Sequence, residues 1–251
     1  MDNDPLTQIV DQAWAAANDP PQPIDAGTLS VDEAQTVQAR VLARWQAQGE
    51  VIGGWKLGLT SGRSRDAFGP DIRPFGFILK SRVHRSNDHI QAAAIGRGVV
   101  ENEVCFRMGR PLDGHATRDA ALAAVDGAAP AFEVNQRRIA DGSEPAARVA
   151  DNLSNWGLVV GEFQPTPTEL DSLVVTLTHD GTEVDRVSTE GHIDDHFESI
   201  ARLARRLAQY GLALSAGDYV ITGAFTRAPL NPGRFTGHFN AGLGAVSVNI
   251  Q

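Results

Sequence analysis

The sequence predicts an α+β fold in which a small helical cap precedes a β-rich body whose sheet is curled or barrel-like. Two observations carry this expectation. Before residue 50 apolar residues recur at helical spacing, and after Gly53 the texture changes to short β-type runs broken by Gly and Pro. Only two helical stretches interrupt those runs. The boundaries that follow are a helical amino-terminal cap over 1–50 and a β-rich domain over 51–251.

The elements follow in chain order. Asp4-Pro5 starts a first helix whose stripe is Leu6, Ile9, Val10, Ala13, Trp14 and Ala17, ended near Asn18 by Pro20 and Pro21. Ser30 and Glu33 have capping-box spacing for a second helix, with Val37, Val41, Leu42 and Trp45 as its stripe and Gly49 as its stop. Strand-like runs are Trp55 to Leu59, Phe75 to Leu79, Val99 to Phe106, Ala131 to Val134 and Trp156 to Val160, then Leu173 to Thr178, Tyr219 to Thr222 and Ala245 to Ile250. Between them, Thr117 to Val125 is an alanine-rich helix. Asp194 to Tyr210 carries Phe197, Ile200, Leu203, Ala204 and Leu207 at helical spacing before Gly211 as its carboxyl cap. No internal repeat or low-complexity tract is visible.

Composition excludes several function classes. With 42% hydrophobic and 21% charged residues over 251 positions, the chain can bury a sizeable core and is not a disordered chain. A net charge of -9 offers no footprint for nucleic acid or an anionic membrane, and an anionic small molecule needs local help from a metal, Lys or Arg. Cys105 is the one cysteine, so no intrachain disulfide forms, in keeping with a reducing compartment. Met-Asp-Asn-Asp has no signal-peptide character and no run approaches the roughly 18 apolar residues of a membrane helix. A cytoplasmic protein is expected.

Glu101 and Glu103 sit in Gly98-Val-Val-Glu-Asn-Glu-Val-Cys-Phe106, a run that otherwise favours a strand. Strand alternation sends both acids to one face. Two desolvated like charges cost several kcal/mol unless a cation or protons compensate, and a hard divalent cation is a natural compensator. The competing reading is an exposed edge strand with its acids in water. Glu133, in Ala131-Phe-Glu-Val134, is the third candidate ligand, against a pairing with Arg137 or Arg138. Lys56 stands between apolar neighbours in Gly53-Gly-Trp-Lys-Leu-Gly-Leu-Thr-Ser61; there it either loses hydration, with a lowered pKa suited to proton transfer or to holding an anion, or reaches to water. Asp151, Asn152, Ser154 and Asn155 form either a turn or a polar pocket floor. His192 and His196 have i, i+4 spacing without the H-E-x-x-H pattern, which argues against zinc. Cys105 has no partner base, and no serine elbow, phosphate loop or dinucleotide fingerprint is present.

Taken together, Gly54-Trp-Lys-Leu-Gly-Leu-Thr-Ser61, Glu101-Asn-Glu103, Phe132-Glu133, Ala150-Asp-Asn-Leu-Ser154, the stretch Leu212 to Thr226 and Leu243-Gly-Ala-Val-Ser-Val248 occur in an order that resembles the 2-keto-4-pentenoate hydratase and 4-oxalocrotonate decarboxylase family. That family is a branch of the fumarylacetoacetate hydrolase superfamily. The resemblance covers nearly the whole chain. It implies a mixed β-barrel-like core of the fumarylacetoacetate hydrolase type, a Mg²⁺ or Mn²⁺ site, and a homo-oligomer. Residue by residue it implies Glu101, Glu103 and Glu133 as metal ligands, Lys56 and Asp71 as catalytic groups, and Ser61, Ser154, Thr222 and Gly223 as pocket residues.

The implied activity is a metal-dependent lyase of aromatic meta-cleavage catabolism, with residues 51–251 as its catalytic domain. Hydration of a short 2-hydroxy-dienoate such as 2-hydroxypenta-2,4-dienoate, giving a 4-hydroxy-2-oxo acid, comes first. Decarboxylation of a 4-oxalocrotonate-type 2-oxo acid comes second. C–C hydrolysis of an acylpyruvate and a non-catalytic partner subunit are the remaining alternatives; the hydrolase needs a water-activating base, and no His precedes His84. The chain also departs from its relatives. Glu133-Val-Asn-Gln-Arg-Arg138 replaces Glu-Ile-Val-Asp-Ser-Arg, the stretch around Gly142-Ser-Glu144 is altered, Pro74 replaces a frequent acid, and Arg227 follows the Thr222-Gly223 turn. Arg73, Arg137 and Arg227 are either receivers of a second substrate carboxylate or surface and interface residues.

Overall fold

The computed structural model describes residues 4–19, 24–25, 29–62, 65–139, 145–167, 169–188, 191 and 193–251. Helix α1 (Leu6–Asn18) starts where Asp4 Oδ1 accepts the Leu6 amide at 3.0 Å, and it buries Val10, Ala13 and Ala16. Pro20 and Pro21 lie outside the described residues. Helix α2 (Val31–Ala47) opens with the expected capping box: the Glu33 amide donates to Ser30 Oγ and the Ser30 amide donates to Glu33 Oε2. Such a cap stabilises a helix by about 1 kcal/mol. Trp14 and Trp45 join the two helices with ring centroids 4.7 Å apart. The buried amides of Gln35 and Gln38 tie α2 to the body, both donating to the Phe75 carbonyl.

The body is built from strands β1 (Ile52–Leu57), β2 (Phe75–Leu79), β3 (Val83–Arg85), β4 (His89–Ile90), β5 (Gly98–Met108), β6 (Val125–Gln136) and β7 (Asn155–Val160), then β8 (Val174–His179), β9 (Thr182–Ser188), β10 (Tyr219–Ile221), β11 (Arg227–Pro229), β12 (Gly233–Phe239) and β13 (Gly244–Ile250). Helices α3 (Ala92–Ile95), α4 (Arg118–Ala124), α5 (Pro145–Ala150) and α6 (His196–Ala208) intervene. The larger sheet has the order β2-β1-β10-β5-β6-β7-β3, with β11 added beside β5. The smaller has the order β4-β13-β12-β8-β9. Both mix parallel and antiparallel pairs. Among the described residues the barrel-like curl resolves into two sheets with no closed barrel.

The register sorts the larger sheet into two faces. Trp55 pairs with Phe77 and Val220, Val220 with Phe106, Asn102 with Phe132, and Phe132 with Val159. This face joins the helix stripes in one continuous core. The opposite face carries Lys56, Ile221, Cys105, Glu103, Glu101, Glu133 and Leu158, which pair in the same way. Its apolar members Ile78, Cys105, Ala129, Ala131, Leu158, Val160 and Ile221 form a second, smaller cluster.

Several elements escape the sequence reading for identifiable reasons. In β12 only Phe235, Gly237 and Phe239 turn inward, so the apolar signal is interrupted by a glycine. Strand β9 is largely exposed and polar. Strand β6 runs well before Ala131 through Gly127 and Pro130, residues that read as breakers. Among the described residues no helix is long and apolar enough to cross a membrane.

Candidate metal centre

Strands β5 and β6 pair so that Glu101 lies directly opposite Glu133, while Glu103, two residues on, shares their face. The three carboxylates each offer an oxygen within 4.8 Å of the others. Like charges opposed across a ladder are destabilising, and here they are also dry. Glu103 is 3% exposed, Glu133 1%, and the Glu101 side chain 12%. Burial pushes the Glu103 carboxyl well above the usual carboxylate range, and the Glu133 charge adds to this against the opposing Lys56 charge and Gly223 amide. Burial raises Glu101 too, again reinforced by Glu133 and opposed by Arg227, Lys56 and Asn135.

Glu133 and Glu103 are each held through one oxygen, whereas both oxygens of Glu101 have a partner. Glu133 Oε1 accepts from Lys56 Nζ at 2.5 Å and from Asn155 Nδ2 at 2.8 Å. Its Oε2 is buried with no hydrogen-bond partner. Glu101 Oε2 accepts from Asn135 Nδ2, and Oε1 meets Arg227 Nη2, both at 2.8 Å. Glu103 Oε2 accepts from the Gly223 amide at 2.7 Å. Gly223 has φ +146°, and a Cβ there would come within 2.6 Å of Thr60 Oγ1, so glycine is required for this amide to reach Glu103. Three hard oxygen donors, one orphaned oxygen and carboxyls raised by burial fit a divalent cation such as Mg²⁺ or Mn²⁺.

Lys56 differs from expectation. Burial alone works to lower its pKa, but the charges of Glu133, Glu103 and Glu101 outweigh burial and raise it. The sequence showed the apolar neighbours and not the acids gathered across the sheet. The Leu153 carbonyl lies 3.5 Å from Nζ, at the centre of a turn in which Asn152, Leu153 and Ser154 all have positive φ. This turn is fixed by Asn152, whose amide exchanges hydrogen bonds with the Phe77 backbone. Thus Lys56 and the segment bearing Ser154 meet beside the glutamates.

The remaining candidates lie elsewhere or are already engaged. Asp71 is 74% exposed and accepts from Arg202 Nη1 of α6 at 2.8 Å, so the structure does not bring it to the glutamates. Ser61 bridges to Ile193. Thr222 is buried; its carbonyl accepts from Thr60 Oγ1 at 2.6 Å and its hydroxyl lies 2.7 Å from His196 Nδ1. His192 and the 142–144 stretch lie outside the described residues. Arg138 is paired with Asp151 in the interior, and Arg73 with Asp66 and Asp194. Cys105 is buried in the apolar cluster, and burial pushes its thiol far up, which leaves no thiolate nucleophile.

Asn135, which orients Glu101, escaped the sequence reading, although strand alternation from Glu133 was the available signal. His196 was legible only as half of a zinc pair; the resemblance named Thr222 as a pocket residue, but its contact with His196 was not foreseen.

Comparison with known proteins gives a consistent set of relatives. The family profile described as "Fumarylacetoacetate (FAA) hydrolase C-terminal" matches residues 43–246. The chain is 30% identical over 230 residues to a 4-oxalocrotonate decarboxylase of Pseudomonas sp, covering 91% of this chain and 90% of the relative. It is 31% identical over 229 residues to the 2-keto-4-pentenoate hydratase of Paraburkholderia xenovorans (strain LB400), covering 89% and 85%. A 4-oxalocrotonate decarboxylase from Pseudomonas putida G7, complexed with magnesium and adipate, shares the fold with a TM-score of 0.87 at 24% identity, covering 97% of both chains.

Proposed function

The chain belongs to the fumarylacetoacetate hydrolase family, and on that premise we propose that it is a metal-dependent lyase acting on a short 2-hydroxy-dienoate or 2-oxo-enoate. The observation that carries the reading is the buried cluster of Glu101, Glu103 and Glu133 beside Lys56, with Glu133 Oε2 left unpartnered. Glu101, Glu103 and Glu133 would hold the divalent cation, which would supply Lewis-acid stabilisation of the negative charge that develops on the 2-oxo acid.

The chain's own residues divide the remaining work. Lys56 and Asn155 hold Glu133 through one oxygen and thereby aim the other. The Gly223 amide does the same for Glu103, and Asn135 holds Glu101 through Oε2 while Arg227 meets Oε1. We assign proton transfer to Lys56, whose Nζ stands at the cluster, in preference to the exposed Asp71 paired with Arg202. Ser154, next to the turn that meets Lys56, is the pocket residue assigned to substrate; Thr222 and Gly223 shape the wall behind Glu103. The apolar cluster of Ile221, Cys105, Ala131 and Leu158 on the same face excludes water.

Hydration is the first reaction, in keeping with the similarity to hydratases: the 2-hydroxyl gives up its proton as the 2-oxo group forms, C5 takes up a proton, and water adds across C3 and C4, its hydroxyl to C4 and its proton to C3. Decarboxylation is the second, supported by the similarity to 4-oxalocrotonate decarboxylases. Homo-oligomeric assembly is proposed with it. The deciding experiment follows consumption of 2-hydroxypenta-2,4-dienoate and 2-oxohex-3-enedioate by ultraviolet absorbance, with Mg²⁺ and with chelator, and identifies products by mass. Metal-dependent gain of water or loss of CO₂ supports the lyase. No turnover of either by a metal-loaded, folded chain overturns it.

A further inference from the structure

We propose that Arg227 receives the distal carboxylate of the substrate, so that this site prefers a 2-oxo acid bearing a second carboxylate. The inference rests on the lyase reading and names its substrate class. Arg227 lies on β11 directly opposite Glu101, on the same sheet face, so that Arg227, Glu101, Glu133 and Leu158 form one transverse row. Its guanidinium meets Glu101 Oε1 at 2.8 Å, while the side chain as a whole is 68% exposed. Its backbone amide donates to Asp185 Oδ2 at 3.1 Å, which fixes the backbone of β11 beside Glu101.

Among the described residues, three other candidate cations are committed. Lys56 is bound to Glu133, and Arg73 to Asp66 and Asp194, with the Arg73 side chain only 5% exposed. Arg138 is enclosed with Asp151. Arg227 differs in that its acid is one of the three carboxylates that a divalent cation claims. Once that charge is shared, the exposed planar fork of Arg227 is able to grip a carboxylate through two parallel hydrogen bonds. In a chain of net charge -9, a dianionic substrate needs such local compensation.

The test uses the full chain loaded with Mn²⁺ and measures by calorimetry the dissociation constants of adipate and of hexanoate, a diacid and a monoacid of equal length. Mn²⁺ binding is measured separately by electron paramagnetic resonance. Wild type is expected to bind adipate at least about tenfold tighter than hexanoate, the strength of a hydrogen bond to a charged group. Arg227→Gln removes that preference, Arg227→Lys keeps part of it, and Mn²⁺ binds either variant as tightly as wild type or more tightly. Equal losses of both acids in Arg227→Gln, or no preference in wild type, overturn the proposal while leaving the lyase reading in place. Failure of wild type to bind Mn²⁺ overturns both.

Discussion

Lys56 is where the separate sequence signals converge. A buried ammonium beside one carboxylate is a common ion pair; here Lys56 pairs with Glu133 in a cluster of three carboxylates with excess negative charge. Removing one partner from a buried pair costs about 3–5 kcal/mol. Lys56→Met is therefore expected to lower the unfolding midpoint strongly in chelator and much less in Mg²⁺, and to reduce turnover more than metal affinity. Thermal unfolding in both conditions, with kinetics alongside, checks this; equal destabilisation with and without metal would make Lys56 a packing residue. At this scale Glu101 and Glu103 were legible because their spacing is local, and Glu133 because it interrupts an apolar run. The direction of the Lys56 shift was not, because the acids that set it arrive from β5 and β6.

At the scale of elements, the centre depends on β5 being held from behind. Between Glu101 and Glu103, Asn102 points to the other face, where its Nδ2 donates to Thr226 Oγ1 at 2.7 Å and its Oδ1 faces Gly237 of β12. A Cβ on Gly237 would lie 2.0 Å from that Oδ1. Gly237→Ala is expected to cost about 1–3 kcal/mol by overpacking and to weaken metal binding by displacing β5. Adding Asn102→Ala, which removes the obstructing amide, restores part of the stability. Unchanged thermal unfolding of the single variant would show that the smaller sheet does not brace the site. The sequence hid this support because β12 alternates with a glycine at its central inward position. By contrast β2 and β5 were legible from dense apolar runs, and α2 from its cap.

At the scale of the whole molecule, two deeply placed groups couple folding to pH in opposite senses. Burial holds His196 neutral and pushes its pKa down to about 4, although Asp195 and Asp171 oppose this. An unfolded chain binds that proton near pH 6.5, so the stability from His196 is full above this pH and is lost as pH falls toward 4, a loss of about 3 kcal/mol. Burial raises Asp151 to about 6 against the lowering influence of Arg138, so its cost is present above pH 6 and is relieved as pH falls toward 3.8. Unfolding midpoints between pH 4 and 7.5 should therefore fall more steeply for wild type than for His196→Asn. Parallel curves would remove His196 from the acid response. The broad architecture, helices first and strands after, was legible because it rests on periodicity. The joining of helix α6 to the site through His196 and Thr222 was not, because that contact spans distant parts of the chain.

We propose that Glu101 and Glu103 of β5 and Glu133 of β6 form one divalent-metal centre, which Mn²⁺ titration of wild type and Glu103→Gln by electron paramagnetic resonance would probe. One ion per chain is expected for wild type. Glu103→Gln should weaken binding beyond the roughly 10- to 100-fold that loss of an outer partner costs, while its unfolding midpoint in chelator stays the same or rises because a buried like charge is gone. A Glu103→Gln protein that binds Mn²⁺ as tightly as wild type would rule out Glu103 as a ligand of this centre.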